Sequence, residues 1–231
     1  MGMGILFRLD PNYSLFREYI NSILKNLGNI SKKNVKVYFG TGYIQYNKYY
    51  DILSDGLEDA INIAIQTNKN IKFIFVSDTT DKDWKQCYKN FENAIRKQFS
   101  NFSNNFNFYT TNSQKNMKWH AKIFLVTICN TPQIALIGSS NLTRPAYSYR
   151  GNNENSIKYN IETDTIIWRN EKQLNFVMYN IRDEIEKKIE KIPPIIFGVD
   201  KNSEYTVGTA LKDLKNEIDK AIKNGKLTDL N

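Results

Sequence analysis

The chain has 231 residues, 41% apolar and 13% aromatic, enough for one domain of ordinary size with a sizeable core. No window reaches the roughly 20 apolar residues of a membrane span, which excludes a helical membrane protein. Two cysteines (Cys87, Cys129), one histidine and no C-x-x-C give neither a disulfide framework nor a zinc-ligand set, and no metal or cofactor is expected. The start, Met1-Gly2-Met3-Gly4-Ile5-Leu6-Phe7-Arg8, has a short apolar patch without a basic n-region or cleavage site, so the protein is expected to be cytoplasmic. The formal charge of +8 is unevenly spread. Residues 113–169 carry seven basic and three acidic side chains, whereas 170–231 carry eleven of each. A positive field centred on 113–169 attracts a polyanion.

Residues 13–28 carry a helical stripe through Leu15, Phe16, Tyr19, Ile20, Ile23, Leu24 and Leu27. Val35, Val37 and Phe39 alternate into Gly40-Thr41-Gly42, which reads as a strand entering a glycine turn. Helical period returns over 51–66, and Ile71 to Val76 reads as a strand buried on both faces. A further helix fits 84–99, with Trp84, Tyr88, Phe91 and Ile95. The stretch from Asn101 to Asn112 is expected to hold a loop and a short strand. Two strands follow, Lys122 to Val126 and Ile134 to Ile137, around a turn at Asn130-Thr131-Pro132. A short helix from Leu142 would be capped by Ser140 or Asn141. After a loop over 152–159 come a strand from Thr163 to Trp168 and a long helix over 171–191, closed by Pro193-Pro194. Ile195-Ile196-Phe197 is a short strand or packing segment, and Thr209 to Lys223 an amphipathic helix. This order implies an α/β layered architecture. One domain is expected over 1–195, with 196–231 as a helical extension packing on it.

The chemistry concentrates between 119 and 168. The lone imidazole lies in Trp119-His120-Ala121-Lys122, and Gly138-Ser139-Ser140-Asn141 follows the next apolar runs. Cleaving a phosphodiester without a metal needs a nucleophile, donors for the non-bridging oxygens and an acid for the leaving oxygen. An imidazole can attack phosphorus, a lysine supplies charge, and an asparagine amide and a turn supply neutral donors. On a strand, His120 and Lys122 would share one face. Other candidates are Tyr43 and Arg144 as substrate contacts, although packing and a surface ion pair suit them as well. Lys118, with Lys115, Arg150 and Lys158, can follow a phosphate backbone or form a solvated rim. Trp119 and Trp168 read as core.

This constellation resembles the phospholipase D superfamily, whose motif is His-x-Lys, then usually Asp, then Gly-Ser and Asn. The matches are His120, Lys122, Ser139 and Asn141, and the residues Ile137 to Ala146 look like the restriction-endonuclease-like subgroup. Gly40-Thr41-Gly42-Tyr43-Ile44 more loosely resembles the groove-lining turn of that subgroup. The motif aspartate would fall at Thr127, a departure shared by nuclease-like members. The resemblance implies a phospholipase D-like αβα fold with a central mixed sheet. It also implies a carboxylate that hydrogen-bonds the imidazole. Glu162 is preferred for that role because a strand follows it directly, and Glu154 is its rival.

The resemblance further implies a metal-independent nuclease that forms a phosphohistidine. Two motif copies face each other in this superfamily, and this chain has one histidine. A homodimer with one shared site on its two-fold axis is therefore expected. The basic field favours nucleic acid, DNA more than RNA. A phospholipase or phosphatidyltransferase is the alternative, but no basic amphipathic helix suggests a membrane surface. A non-catalytic nucleic-acid-binding module is a second alternative. Residues 196–231 are too short for a DNA-reading domain, so a separate specificity subunit is a possible partner.

Overall fold

In the computed structural model, which describes residues 2–8, 13–111, 118–148, 160–188, 195–199 and 207–229, the chain begins on a strand, β1 (Gly2–Arg8). The sequence pattern did not mark it, because glycines at 2 and 4 dilute the alternation. Gly2 is nonetheless required by packing: a Cβ there would lie 1.9 Å from the ring of Trp168. Helix α1 (Leu15–Lys25) starts where the Ser14 hydroxyl accepts from Arg17 N–H, and α2 (Leu27–Ile30) is a single turn. Strand β2 (Val35–Thr41) takes in the first two residues of the expected glycine turn. A small hairpin, β3 (Tyr46–Asn47) and β4 (Tyr50–Asp51), follows.

The helix expected over 51–66 is interrupted. Leu53–Leu57 forms a wide π-type turn with Gly56 at φ 94°, and only Glu58–Thr67 is regular helix, α3. Positive φ at Gly56 is a glycine conformation. It lets Arg17 reach Asp55, to which it pairs at 2.7 Å.

Next come β5 (Lys72–Ser77), α4 (Lys82–Gln98) capped by Asp81, a 3-10 stretch Ser100–Asn105 and β6 (Phe106–Thr111). Strands β7 (Lys122–Ile128) and β8 (Thr131–Gly138) form a hairpin whose turn residues, Cys129 and Asn130, both have positive φ. The short helix α5 (Arg144–Tyr147) has Thr143 at its cap position without a side-chain cap bond. The expected caps, Ser140 and Asn141, spend their side chains on Asp164 and Thr41 instead. The chain continues through β9 (Glu162–Trp168), α6 (Lys172–Lys188), β10 (Ile195–Val199), α7 (Val207–Lys223) and β11 (Leu227–Asp229).

Among the described residues one nine-stranded sheet runs β10-β1-β9-β8-β7-β2-β5-β6-β11. Strands β2, β5 and β6 are mutually parallel, and the other pairings are antiparallel. The sheet is mixed and covered on both faces, the expected αβα layering. One face carries Val37, Phe39, Phe73, Phe75, Phe108 and Phe124 against α1, α3, α4 and α6. The other carries Tyr38, Ile74, Val76, Leu125, Ala135 and Ile167, with Ile218 and Ala221 of α7 over it. The tail after residue 195 is more than a helix laid on the surface. Its β10 pairs with β1 at one edge of the sheet, and its β11 pairs with β6 at the other.

Candidate active site

The candidate residues meet at one end of the sheet. Antiparallel pairing sets Lys122, the first residue of β7, opposite Gly138, the last of β8. The next pairing sets Gly138 opposite Asp164 of β9. Strand β2 ends beside them at Thr41. Lys122, Thr41, Glu162 and Asp164 share strand parity with Phe124, Phe39 and Ile166, so their side chains stand on the same face of the sheet.

His120 lies two residues before β7, in irregular backbone, and is exposed. The expectation that it shares a strand with Lys122 is corrected. Its approach to the lysine comes from the local chain path, with Lys122 Nζ 3.0 Å from His120 Nδ1 and 2.8 Å from the His120 carbonyl oxygen. Trp119 fixes that path from the opposite face of the sheet. Its ring lies over Gly40, where a Cβ would come within 2.7 Å of it. Trp119 is half-buried and packs on the α7 side, as core, while Trp168 is fully buried.

Asn141 is held by a residue that the sequence reading left unused. Thr41 Oγ1 is 2.9 Å from Asn141 Oδ1, and Thr41 is buried. With the amide oxygen occupied, the Asn141 NH₂ is left to donate elsewhere. Two turns are stitched together behind this pair. Gln45 N–H donates to the Leu142 carbonyl at 2.9 Å, and Arg144 N–H donates to Gln45 Oε1 at 3.0 Å. Gly42 lies in the middle of the cluster. A Cβ on it would be 3.5 Å from Asn141 Oδ1 and 3.8 Å from Lys122 Nζ. Arg144 itself is half-buried at the start of α5, Tyr43 is half-buried beside Gly42, and Lys118 is exposed.

The carboxylates divide the work differently from what the resemblance implied. Glu162 is 7% exposed and accepts from Ser139 Oγ and, at 2.9 Å, from Asn160 Nδ2. It makes no hydrogen bond to His120. Its charge acts on Lys122, offsetting in part the burial that pushes the lysine below its ordinary range. The rival Glu154 lies outside the described residues, as do Lys115, Arg150 and Lys158. Asp164, two residues further along the same face, is a carboxylate that the sequence reading missed. It is 3% exposed and accepts from Ser140 Oγ at 2.6 Å and Ser140 N–H at 3.2 Å. Burial raises its carboxyl to about 6. Gly138 is glycine for its sake, because a Cβ there would stand 2.1 Å from Asp164 Oδ1 and 2.5 Å from the Thr163 carbonyl oxygen. Thr127, at the place of the motif aspartate, is wholly buried, and its hydroxyl has no hydrogen-bond partner.

The result is a cationic and amide-lined cradle beside an exposed imidazole, on the carboxyl side of the parallel strands. Among the described residues, no three His, Cys, Asp or Glu side chains gather as metal ligands, and no helix is long and apolar enough to cross a membrane.

No family model matches the sequence, and none of the curated proteins does. Among solved structures, the chain is similar to polyphosphate kinase from Porphyromonas gingivalis at 15% identity and a TM-score of 0.46. That match covers 96% of this chain and 32% of the kinase. It is similar to yeast tyrosyl-DNA phosphodiesterase at 15% identity and a TM-score of 0.41, covering 72% and 46%. The chain thus spans about a third of the first protein and under half of the second. Likeness at this level assigns no activity.

Proposed function

We propose that the protein is a metal-independent phosphodiesterase of the phospholipase D type that cleaves nucleic acid, DNA before RNA, through a phosphohistidine. The observation that carries this is the convergence of Lys122 and Asn141 around Gly42, with Lys122 Nζ 3.0 Å from the His120 imidazole. Lys122 and the Asn141 amide offer charge and a neutral donor to the non-bridging oxygens of a phosphodiester. In the free site the ammonium donates to Nδ1, which leaves the imidazole proton on Nε2. A bound phosphoryl group competes for that ammonium. Releasing Nδ1 permits the tautomer whose Nε2 lone pair attacks.

Attack forms the P–N bond and breaks the bond to the leaving oxygen, which takes a proton from an acid. Water then attacks phosphorus with a base holding its proton, and His120 leaves. One imidazole cannot serve as nucleophile and acid together, and the chain has one. The reading therefore includes a symmetric homodimer in which the partner subunit's His120 gives the proton and later removes one from water. An exposed apolar side chain at the rim supports a contact there. Ile161 is 74% exposed beside Glu162. Lipid phosphodiesters are the competing substrate, and the basic stretch 113–169 favours nucleic acid over them.

The test is cleavage of plasmid and oligonucleotide in EDTA, with His120→Ala as control. Turnover in EDTA that His120→Ala abolishes supports the reading. Loss of activity in EDTA that Mg²⁺ restores rejects it.

A further inference from the structure

We propose that the stacked rings of Tyr43 and Trp84 form a subsite for an unpaired nucleobase of single-stranded nucleic acid, next to the phosphoryl cradle. The proposal rests on the phosphodiesterase reading and names the substrate form that the site takes. The two rings lie 5.2 Å apart with planes 19° from parallel, and both are half-buried. Neither belongs to either hydrophobic core, nor packs against one as Tyr46 does, so core packing does not account for them.

Both rings are held in place. Tyr43 Oη is 3.3 Å from the sulfur of Cys87, which lies one turn after Trp84 on α4. Asp81 Oδ1 accepts from Trp84 N–H at 3.1 Å and fixes the first turn of that helix. A prepacked pair loses little side-chain entropy when a third ring joins the stack.

The pair is continuous with the cradle. Thr41 Oγ1 lies 3.1 Å from the Tyr43 carbonyl oxygen and 2.9 Å from Asn141 Oδ1. Gly42, between Thr41 and Tyr43, faces Lys122. The backbone of Tyr43 thus borders the cradle, and a strand whose phosphate is held by Lys122 and Asn141 would pass beside the residue that carries the first ring. Charge decides which part of the ligand meets that ring. Asp81-Lys82-Asp83-Trp84-Lys85 is neutral overall and offers no excess positive charge for a second phosphate. A nucleobase presents a neutral π-face, which stacks on aromatic side chains irrespective of sequence. In a duplex that face is already stacked, so the subsite selects a single strand.

The test compares oligothymidylate with its abasic counterpart of the same length and charge, reading the ratio of kcat/KM in the wild-type protein, Trp84→Ala and Trp84→Phe. The ratio does not depend on the fraction of folded protein. The expected ratio is about tenfold or more in the wild type, near one in Trp84→Ala and largely restored in Trp84→Phe. A wild-type ratio near one, or an unchanged ratio in Trp84→Ala, overturns the subsite and leaves the phosphodiesterase standing. Hydrolysis of phosphatidylcholine vesicles with none of oligothymidylate overturns the nucleobase assignment. No cleavage of any of the three by the wild type overturns the phosphodiesterase reading and the subsite with it.

Discussion

At the scale of single residues, two hydroxyl–acceptor pairs decide how the site is held. Thr41 fixes the Asn141 amide through its oxygen, so Thr41→Val should free the amide to rotate. The expected outcome is a fall in kcat of about tenfold or more with little change in KM, because a misplaced donor costs transition-state alignment rather than substrate affinity. Thr41→Ser, which keeps the hydroxyl, should recover most of it. Ser140 holds Asp164, whose carboxyl is raised by burial from 3.8 to about 6. The folded protein therefore keeps a proton that the unfolded chain releases between those values. The stability this provides is complete below pH 3.8 and is lost as pH rises through about 6. The change is on the order of 3 kcal/mol. Urea unfolding at pH 4 and pH 7 should show it, and Asp164→Asn, uncharged throughout, should not. Lys122 is shifted the other way: burial lowers it, and Glu162 partly restores it. The alkaline fall of kcat/KM should lie below the pH where an ordinary lysine titrates. Glu162→Gln should move it lower still, by removing the anion that favours the ammonium.

At the scale of elements, the site is a product of strand register. β8 and β9 pair so that Gly138 faces Asp164, and the missing Cβ leaves room for that carboxylate. Gly138→Ala should destabilise the fold by about 1–3 kcal/mol, an overpacking cost, because two of the three nearest atoms it meets are backbone. A lower Tm with an unshifted far-UV spectrum would be the signature, and a Tm equal to wild type would contradict it. The elements also explain where periodicity misled. Residues 51–66 have helical spacing throughout, but Gly56 at positive φ breaks the helix so that Arg17 and Asp55 can pair. The Gly-Ser-Ser-Asn turn reads as a helix cap, yet its side chains face the strands and α5 begins later, at Arg144.

At the scale of the whole molecule, the C-terminal segment closes the structure. It supplies a strand at each edge of the sheet, and α7 covers Tyr38, Leu125 and Ala135 between them. Deleting residues 195–231 should therefore expose that apolar face and both edges, giving insoluble protein rather than a stable smaller domain. The proposed dimer belongs to this scale too. Ile161→Asp at the rim should weaken self-association and activity together while leaving Tm within a few degrees. Loss of dimer in light scattering with full activity would separate the site from the interface.

The sequence by itself carried the alternation of strands and helices, because periodicity reports which side of each element is buried. It also marked His120, Lys122 and Asn141 as candidates for one site, and the structure brings the Lys122 ammonium within 3.0 Å of the His120 imidazole. The strand over Gly2–Arg8 escaped, since glycines erase the alternation that marks a strand. Thr41 and Asp164 escaped for a different reason: nothing local distinguishes a threonine at a strand end or an aspartate two residues after a glutamate. Their roles come from partners far away in the chain, Thr41 from Asn141 and Asp164 from Ser140. Only the tertiary structure decided that Glu162 serves Ser139, Asn160 and Lys122 rather than the imidazole. Hydrogen-bond partners depend on register and burial, and neither is written in the spacing of residues along one chain.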